Sequence, residues 1–344
     1  METRHYLAPV VIGLCAVGLM LLVSQTEGLP IRDPDARMVG SPLALIGLIV
    51  AVFVVLDVVP RAIRSTRGEG PRAGEALSSI FLERWWGRRG VIVIACVLGF
   101  YATYLSYRNL KSYVPFVTSD SHDTALFNFD QTLFFGHQPA TLLHELLGTG
   151  ISAHVLSATY IAFLSFVPIS LGVTLIWSSR VAAGVWYVTA LTFNWMLGAL
   201  SYYLLPSLGP LFTRPGLFAD LPPTDASKLG QTLMEQRTEV LASPGGTDTV
   251  QSIAAFASLH IAVVFTAALI AHLIGVTRWV RIALWSYLAL TALATIYFGW
   301  HYVVDDVAGI GIGFAAVFAA AALTGFRRHP MDLLARATER KAAA

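Results

Sequence analysis

The stretch Gly299-Trp300-His301-Tyr302-Val303-Val304-Asp305-Asp306 leads directly into a membrane-length apolar run, and it is the most informative part of the sequence. The run covers residues 302–325, which is long enough to cross about 30 Å of hydrocarbon as a helix. Ser258-Leu259-His260 stands at the head of another such run. Histidines and carboxylates are costly to bury in lipid unless they are paired or face water, so these groups are candidate functional residues.

Composition indicates an integral membrane protein. The 344 residues are 56% apolar and 13% charged, with a mean hydropathy of +0.65, far from the average for a soluble domain. Eight apolar runs of about 20 residues predict eight membrane-spanning helices and an all-α, polytopic fold. The runs cover residues 6–23, 42–60, 91–107, 153–177, 181–204, 258–274, 280–299 and 302–325.

The distribution of basic residues predicts the orientation in the membrane. Eight crossings put both termini on one side, and that side carries 16 of the 23 Lys and Arg residues, including seven arginines from Arg61 to Arg89. The positive-inside rule makes this side cytoplasmic. His260 and His301 then face outward, and we expect an integral protein of the plasma (inner) membrane. The basic residues serve orientation, so the net charge of +2 predicts no nucleic-acid partner.

The chain is expected to have four parts, of which the third is a six-span core at 91–325. Two long outward segments, 108–152 and 205–251, interrupt this core. Each segment contains a stretch with an amphipathic helical pattern, at 139–147 and 229–241, which suits a helix lying in the membrane interface. The four parts are two N-terminal transmembrane helices (1–60), an Arg-rich cytoplasmic linker (61–90), a six-span core (91–325) and a cytoplasmic tail (326–344).

His301, Asp305 and His260 are the candidate catalytic groups. Asp305 follows His301 by one helical turn, a spacing that permits a hydrogen bond. A carboxylate that accepts the Nδ1 proton leaves a lone pair on Nε2, as a nucleophile or base requires. His260 follows Ser258 at a predicted helix start, where free backbone N–H groups favour phosphate, and it suits a general acid. Two histidines merely hydrogen-bonded at the interface are the alternative.

Two neighbouring features are assigned structural roles. Asp306 is turned about 100° away from Asp305 on a helix, and we expect it to be an ordinary interfacial charge. Gly309, Gly311 and Gly313 suit close packing between helices. His144-Glu145 begins like a zinc-protease helix but lacks the second histidine at position 148, so we expect no metal site there. We also expect no cofactor.

Four short segments resemble a known family. They are 256–260 (FASLH), 299–309 (GWHYVVDDVAG), 203–210 (YLLPSLGP) and, more weakly, 129–136 (FDQTLFFG). They are similar to motifs of the type 2 phosphatidic acid phosphatase superfamily, and within it to the inositol phosphorylceramide synthase branch, over roughly residues 91–325. The resemblance implies a six-helix catalytic core and metal-independent transfer of a phosphoryl or phosphodiester group through a phosphohistidine intermediate. His301 would be the nucleophile, Asp305 its orienting partner and His260 the acid.

One departure from the family pattern bears on the reaction. The phosphatase branch has an arginine six residues before the nucleophilic histidine, and here that position is Thr295. A cation must still balance the transferred phosphate. The candidate cations for binding the phosphate are Arg108 and Lys111, at the outward end of a core span, and, more weakly, Arg214. Ser258, at the helix start, is a further candidate for binding the phosphate. Basic residues at a span end also commonly reach for lipid headgroups, which is the alternative.

These observations predict a membrane phosphotransferase. It would move a phosphoryl or phospho-headgroup, such as inositol phosphate, between a phospholipid or lipid-linked phosphate and an alcohol at the outer face. One alternative is a lipid or polyprenyl phosphate phosphatase that uses the same three residues with water as acceptor. Another is a non-enzymatic lipid transporter, because intramembrane His and Asp also mark transport pathways. The donor lipid, the acceptor and the oligomeric state stay open.

Overall fold

The protein is all α-helical throughout the part that the computed structural model describes, residues 6–33, 42–66, 72–177 and 181–326. No strand occurs in those ranges, which confirms the predicted fold class. The thirteen α-helices in them are α1 (Ala8–Glu27), α2 (Pro42–Ser65), α3 (Ala73–Trp85), α4 (Arg88–Val117), α5 (Asp123–Leu133), α6 (Pro139–Leu147), α7 (Ile151–Gly172), α8 (Val181–Leu204), α9 (Pro210–Thr213), α10 (Asp225–Ala242), α11 (Leu259–Leu273), α12 (Arg278–Tyr297) and α13 (Val303–Thr324).

Five of these helices are long and apolar enough to cross a membrane. They are α1, α4, α7 with its continuation to Ile176, α12 and α13. The three other predicted runs are helical as well: α2 and α8 cover 42–60 and 181–204, and α11 is a shorter apolar helix. The chain is therefore a polytopic helical membrane protein. Its sidedness and its division into four parts stay predictions, and residues 327–344 of the predicted tail lie outside the described residues.

A helix occupies much of the predicted linker at 61–90. This helix, α3, is fixed to α2 through Asp57, which is only 2% exposed. Arg61 Nε and Arg84 Nε donate hydrogen bonds to its carboxylate at 3.0 and 2.9 Å, and Trp85 Nε1 donates another at 3.3 Å. The second span, α2, and the helix α3 of the Arg-rich segment are thus joined by ion pairs to one buried carboxylate.

The centre of the helical bundle is α8, which packs against α1, α4, α11 and α13. Most of its side chains are buried, as expected for a helix that is apolar on all sides. The shorter helices lie around the spans: α5 against α13, α6 against α12, and α10 against α7. The carboxyl-terminal part of α4 and the starts of α11 and α13 contact this set of short helices and loops, where the candidate residues lie.

The crossing of α11 and α13 depends on two of the three glycines noted in the sequence. A Cβ atom on Gly309 would lie 2.4 Å from the carbonyl oxygen of Ser258, and one on Gly313 would lie 2.7 Å from that of Ala262. Gly311 has open space around it. The backbones of the two helices that follow His260 and His301 therefore touch, which brings the two histidine segments together.

Candidate active site

His301 lies in the short turn between α12 and α13 and is 6% exposed. Its Nδ1 is 3.0 Å from the carbonyl oxygen of Ala255 and 3.5 Å from Oδ2 of Asp305. The backbone carbonyl is thus the nearer partner, and the expected partner Asp305 makes the longer contact. Since both neighbours of Nδ1 are acceptors, Nδ1 carries the proton and Nε2 keeps its lone pair.

Burial keeps His301 neutral. Desolvation is the main reason that the pKa of His301 falls to about 3, and the positive charge of Lys111 acts in the same direction. The hydrogen bond to the Ala255 carbonyl opposes both effects. At neutral pH the imidazole therefore has the uncharged form that a nucleophile needs.

His260 is the second residue of α11, and the centroid of its ring lies 5.8 Å from that of His301. Two aromatic residues of α7 hold the His260 ring: Tyr160 stacks on it at 4.6 Å and Phe163 lies at 4.4 Å. The other contact of Tyr160 is a stack with Trp300 at 5.0 Å. An aromatic column therefore connects the helix that carries one histidine to the turn that carries the other.

Asp305 holds the histidine turn against the starts of two helices. Its side chain is fully buried, and Oδ2 accepts the backbone N–H of Tyr302 at 2.9 Å, a cap on the first turn of α13. The backbone carbonyl of Asp305 accepts the N–H of Ser258 at 3.0 Å. The residue thus positions His301 by shaping the backbone around it as well as through the contact with Nδ1.

The expectation that Asp306 is an interfacial charge is wrong. Asp306 is only 7% exposed, and its Oδ2 accepts a hydrogen bond from Thr295 Oγ1 at 2.8 Å. The close crossing of α11 and α13 covers the first turn of α13, and the last turn of α12 covers its other side. Thr295, six residues before His301, is therefore the hydroxyl partner of a buried carboxylate.

The candidate phosphate-binding residues occupy different places. Lys111 Nζ lies 4.8 Å above the ring of Tyr202, and its charge acts on both imidazoles. Arg108, one turn earlier in α4, donates from Nη1 to the hydroxyl of Tyr104 at 2.9 Å. Arg214 is exposed; its guanidinium donates to the carbonyl of Thr213 and lies 5.1 Å above the ring of Phe127.

Of the three candidate cations, Lys111 is thus the one whose charge acts on both histidines, and Arg214 lies at the surface. Ser258 precedes α11 at its N-cap position and is fully buried. Its backbone, bonded to Asp305, contributes to the docking of α11 on α13.

Sequence reasoning missed two carboxylates of α5. Asp123 accepts the hydroxyl of Tyr302 at 2.9 Å and the backbone N–H groups of Leu208 and Gly209 at 3.0 and 2.9 Å. Asp130 accepts the N–H of Val303 at 3.0 Å, and burial raises the pKa of Asp130 to about 6. Asp130 lies in the weakly similar segment 129–136, whereas nothing in the sequence distinguished Asp123.

Two glycines explain why the turn at 206–210 lies beside the histidine turn. Gly209 has φ +97°, and a Cβ there would lie 2.5 Å from the carbonyl oxygen of Trp300. Gly299 has φ +67°, and a Cβ there would lie 2.1 Å from the ring of Phe218. Both positions require glycine. The N–H of Leu211 donates to the carbonyl of Gly299 at 2.7 Å and joins the two turns.

The carboxylates near His301 are not arranged as a metal site. Within the described ranges, no group of three or more His, Cys, Asp or Glu side chains could hold a metal ion. Asp123, Asp130, Asp305 and Asp306 instead accept hydrogen bonds from backbone N–H or hydroxyl groups. Their role is to fix the turns and helix starts around the imidazoles.

Comparison with known proteins gives a family match. Residues 124–319 match the family model described as the PAP2 superfamily. The match begins in α5 and ends in α13, so it includes His260, His301 and Asp305, whereas α1 to α4 lie before it. No curated protein and no solved structure matches the chain.

Proposed function

The chain belongs to the PAP2 superfamily, whose chemistry is of the phosphatase and phosphotransferase type on lipid phosphates, and from this membership we propose that it is a membrane phosphotransferase. In the proposed reaction a phosphoryl or phospho-headgroup of the inositol phosphate type passes from a lipid to an alcohol through a histidine intermediate at the outer face. The observation that carries the proposal is the pair of imidazoles 5.8 Å apart, one of them with Nδ1 engaged and Nε2 available.

The reaction needs two displacements at phosphorus. In the first, Nε2 of His301 forms a bond to phosphorus while the P–O bond to the leaving group breaks. His260 reacts as the imidazolium ion, formed by uptake of a proton from solvent when the negatively charged phosphate binds, and gives that proton to the departing oxygen. In the second, the acceptor alcohol gives its proton to His260 while its oxygen bonds to phosphorus and the P–N bond breaks. Both imidazoles thereby return to their starting forms, as general acid–base and covalent catalysis require.

Positive charge for the phosphate is proposed to come from Lys111. Its Nζ lies 4.8 Å above the ring of Tyr202, and its charge acts on both imidazoles. With a negatively charged phosphate bound, the ammonium form would stabilise the charge at the reacting phosphorus, which is the main means by which such reactions are accelerated. The start of α11 adds a second contribution, because the side chain of Ser258 does not cap its first N–H groups.

The environment of Thr295 favours transfer of a diester over hydrolysis of a monoester. In the phosphatase branch this position supplies an arginine, whereas the Thr295 hydroxyl here is bound to Asp306. A phosphodiester carries one negative charge fewer than a fully ionised phosphomonoester, so a site with one cation fewer suits it better. This difference supports the inositol phosphorylceramide synthase-like branch.

The decisive experiment incubates the purified, reconstituted protein with a labelled phosphoinositide, with and without a lipid alcohol acceptor. We expect a labelled transfer product that requires the acceptor and is lost in His301→Ala and His260→Ala. Lys111→Met is expected to reduce the rate by about 10²-fold, the usual size of one lost electrostatic contact to the transition state. Lys228→Met, which removes an exposed lysine of α10, is the matched control and is expected to keep full activity.

Other outcomes favour the alternatives. Release of inorganic phosphate without any transfer product, from this lipid or from a polyprenyl phosphate, would replace the proposal with a phosphatase. If lipid moves across the vesicle membrane without any covalent change, and His301→Ala stops that movement, the protein is a transporter.

A further inference from the structure

Arg32 is a buried arginine in the short segment 28–33 that follows α1. It is 7% exposed, and its Nε donates to the carbonyl oxygen of Thr247 at 2.7 Å. Its Nη2 donates to the carbonyl oxygen of Pro244. The backbone of Arg32 is held on α4 by a reciprocal pair of hydrogen bonds, N–H to Asn109 Oδ1 at 2.8 Å and Asn109 Nδ2 to the carbonyl at 2.7 Å.

Burying the Arg32 guanidinium costs free energy of folding. A buried charge destabilises the fold unless its donors are satisfied in good geometry. The rigid fork of an arginine suits two acceptors that lie in one plane, here two backbone carbonyls of the same loop. Arg32 therefore fixes the segment 243–257, between α10 and α11, to the segment that follows α1 and to Asn109 of α4.

The same segment continues to the candidate active site. Gln251, which is fully buried, donates from Nε2 to the carbonyl oxygen of Lys111 at 2.7 Å. Four residues later, Ala255 donates its N–H to the carbonyl of Ser207 at 2.9 Å, and its own carbonyl accepts Nδ1 of His301 at 3.0 Å. One segment thus carries the clamp by Arg32, a support for Lys111 and the nearest partner of His301.

Residues 243–257 form no helix or strand, so side chains and neighbouring carbonyls must hold their backbone in place. Without Arg32 the carbonyls of Pro244 and Thr247 lose their donors. We expect the loss of these two anchors to loosen the segment around residues 244–251, and so to weaken the placement of the Ala255 carbonyl, which keeps only its own anchor on Ser207.

We propose that Arg32 is a positioning residue for the reaction, acting through the segment 243–257 on His301 and Lys111. The segment that follows α1, which precedes the family-matched residues 124–319, thereby takes part in building the active site. The inference rests on the proposed function insofar as His301 is the nucleophile.

The kinetic test compares Arg32→Gln and Arg32→Lys with Arg278→Gln, a control that removes an exposed arginine at the start of α12. Rates are expressed per folded protein. We expect Arg32→Gln to lower kcat about 10-fold or more, because small misplacements of a reacting group are costly. We expect KM to rise by a smaller factor, since Arg32 itself lies outside the substrate contacts and the charge of Lys111 is retained. Arg32→Lys should restore part of the rate.

The pH profile separates positioning from a loss of folding. Burial is the main cause of the low pKa of His301, so a loosened segment that admits water should move the acid limb of kcat to higher pH in Arg32→Gln. The Arg278→Gln profile should match the wild type. An unchanged kcat and acid limb in folded Arg32→Gln would overturn the proposal.

A second measurement needs no substrate. Hydrogen–deuterium exchange of the full chain in detergent should be faster in residues 243–257 of Arg32→Gln, with α11 and α13 unchanged. Wild-type exchange in that segment would overturn the clamp whatever the turnover. If the wild type turns over no lipid phosphate, but Arg32→Gln still exchanges faster than the wild type in residues 243–257, the proposed function is wrong and the clamp by Arg32 stands.

Discussion

Thr295 Oγ1 donates a 2.8 Å hydrogen bond to Asp306 Oδ2, and this pair closes the turn that presents His301. Thr295 lies in the last turn of α12 and Asp306 in the first turn of α13, and both are buried. Trp300 and His301 lie in the loop between them. The bond therefore fixes the separation of the two helix ends, on which the direction of the imidazole depends.

Removing the hydroxyl should destabilise the protein. Thr295→Val keeps the shape of the side chain but leaves a buried carboxylate oxygen without its donor, which costs about 1–3 kcal/mol. We expect a lower melting temperature in detergent, measured by intrinsic fluorescence, together with a lower rate of transfer. Thr295→Ser keeps the hydroxyl and serves as the control. If Thr295→Val melts at the same temperature as the wild type, the hydrogen bond between Thr295 and Asp306 does not stabilise the fold.

The ion pair at Asp57 should contribute to stability without contributing to catalysis. Asp57→Ala removes the common acceptor of Arg61, Arg84 and Trp85 and so releases α3 from α2. Both arginines can reach water, so the expected cost is about 1–3 kcal/mol. Thermal melting should reveal it, whereas the transfer rate per folded protein should stay at the wild-type value. Glu75→Gln, at an exposed site in the first turn of α3, is the control and should change neither.

Local spacing predicted the helices and the catalytic candidates, because both follow from short-range geometry. His301 and Asp305 are i, i+4 neighbours, and His260 lies at a helix start, so a periodic pattern in the sequence was enough to propose them. The apolar runs likewise predicted where the long helices lie, since a spanning helix must be apolar over its own length.

The remaining parts of the site depend on contacts that are distant in sequence. The carbonyl of Ala255 is 46 residues from His301, and the carboxylate of Asp123 is 179 residues from the hydroxyl that it binds on Tyr302. Neither contact follows from a local pattern. Asp306 was misjudged for the same reason, because the crossing of α11 and α13 buries a turn that looks exposed when α13 is considered alone.

Acidification should weaken the folded state through His301. Its pKa in the folded protein is about 3, below the ordinary value of 6.5, so between pH 6.5 and pH 3 the unfolded chain binds more protons. Stability therefore falls as the pH falls through that window. Asp130 acts in the opposite direction, because its pKa is raised to about 6 and its contribution falls as the pH rises towards that value.

The contribution of His301 to the pH dependence of stability is therefore obtained by comparing the wild type with a variant that lacks the imidazole. Melting temperatures of the wild type and of His301→Gln, measured from pH 7 to pH 4, should diverge, with the steeper fall on acidification in the wild type. Parallel curves would show that the imidazole titrates as an exposed histidine does, in conflict with its burial.

The close approach of α11 and α13 makes the strongest prediction about assembly of the site. A methyl group on Gly309 would meet the carbonyl oxygen of Ser258 at 2.4 Å, and since that atom belongs to the backbone it can yield only if the helices move apart. Such overpacking costs about 1–3 kcal/mol. It also displaces His260, two residues after Ser258, relative to His301. Gly309→Ala should therefore lower the melting temperature and reduce the transfer rate by about 10²-fold.

Gly311→Ala is the matched control for Gly309→Ala. Gly311 lies two residues away on the same helix and has open space around it. The substitution there should be neutral or stabilise α13 by up to about 1 kcal/mol. Equal rates for the two variants would mean that the spacing of the two helices does not determine the geometry of the imidazole pair.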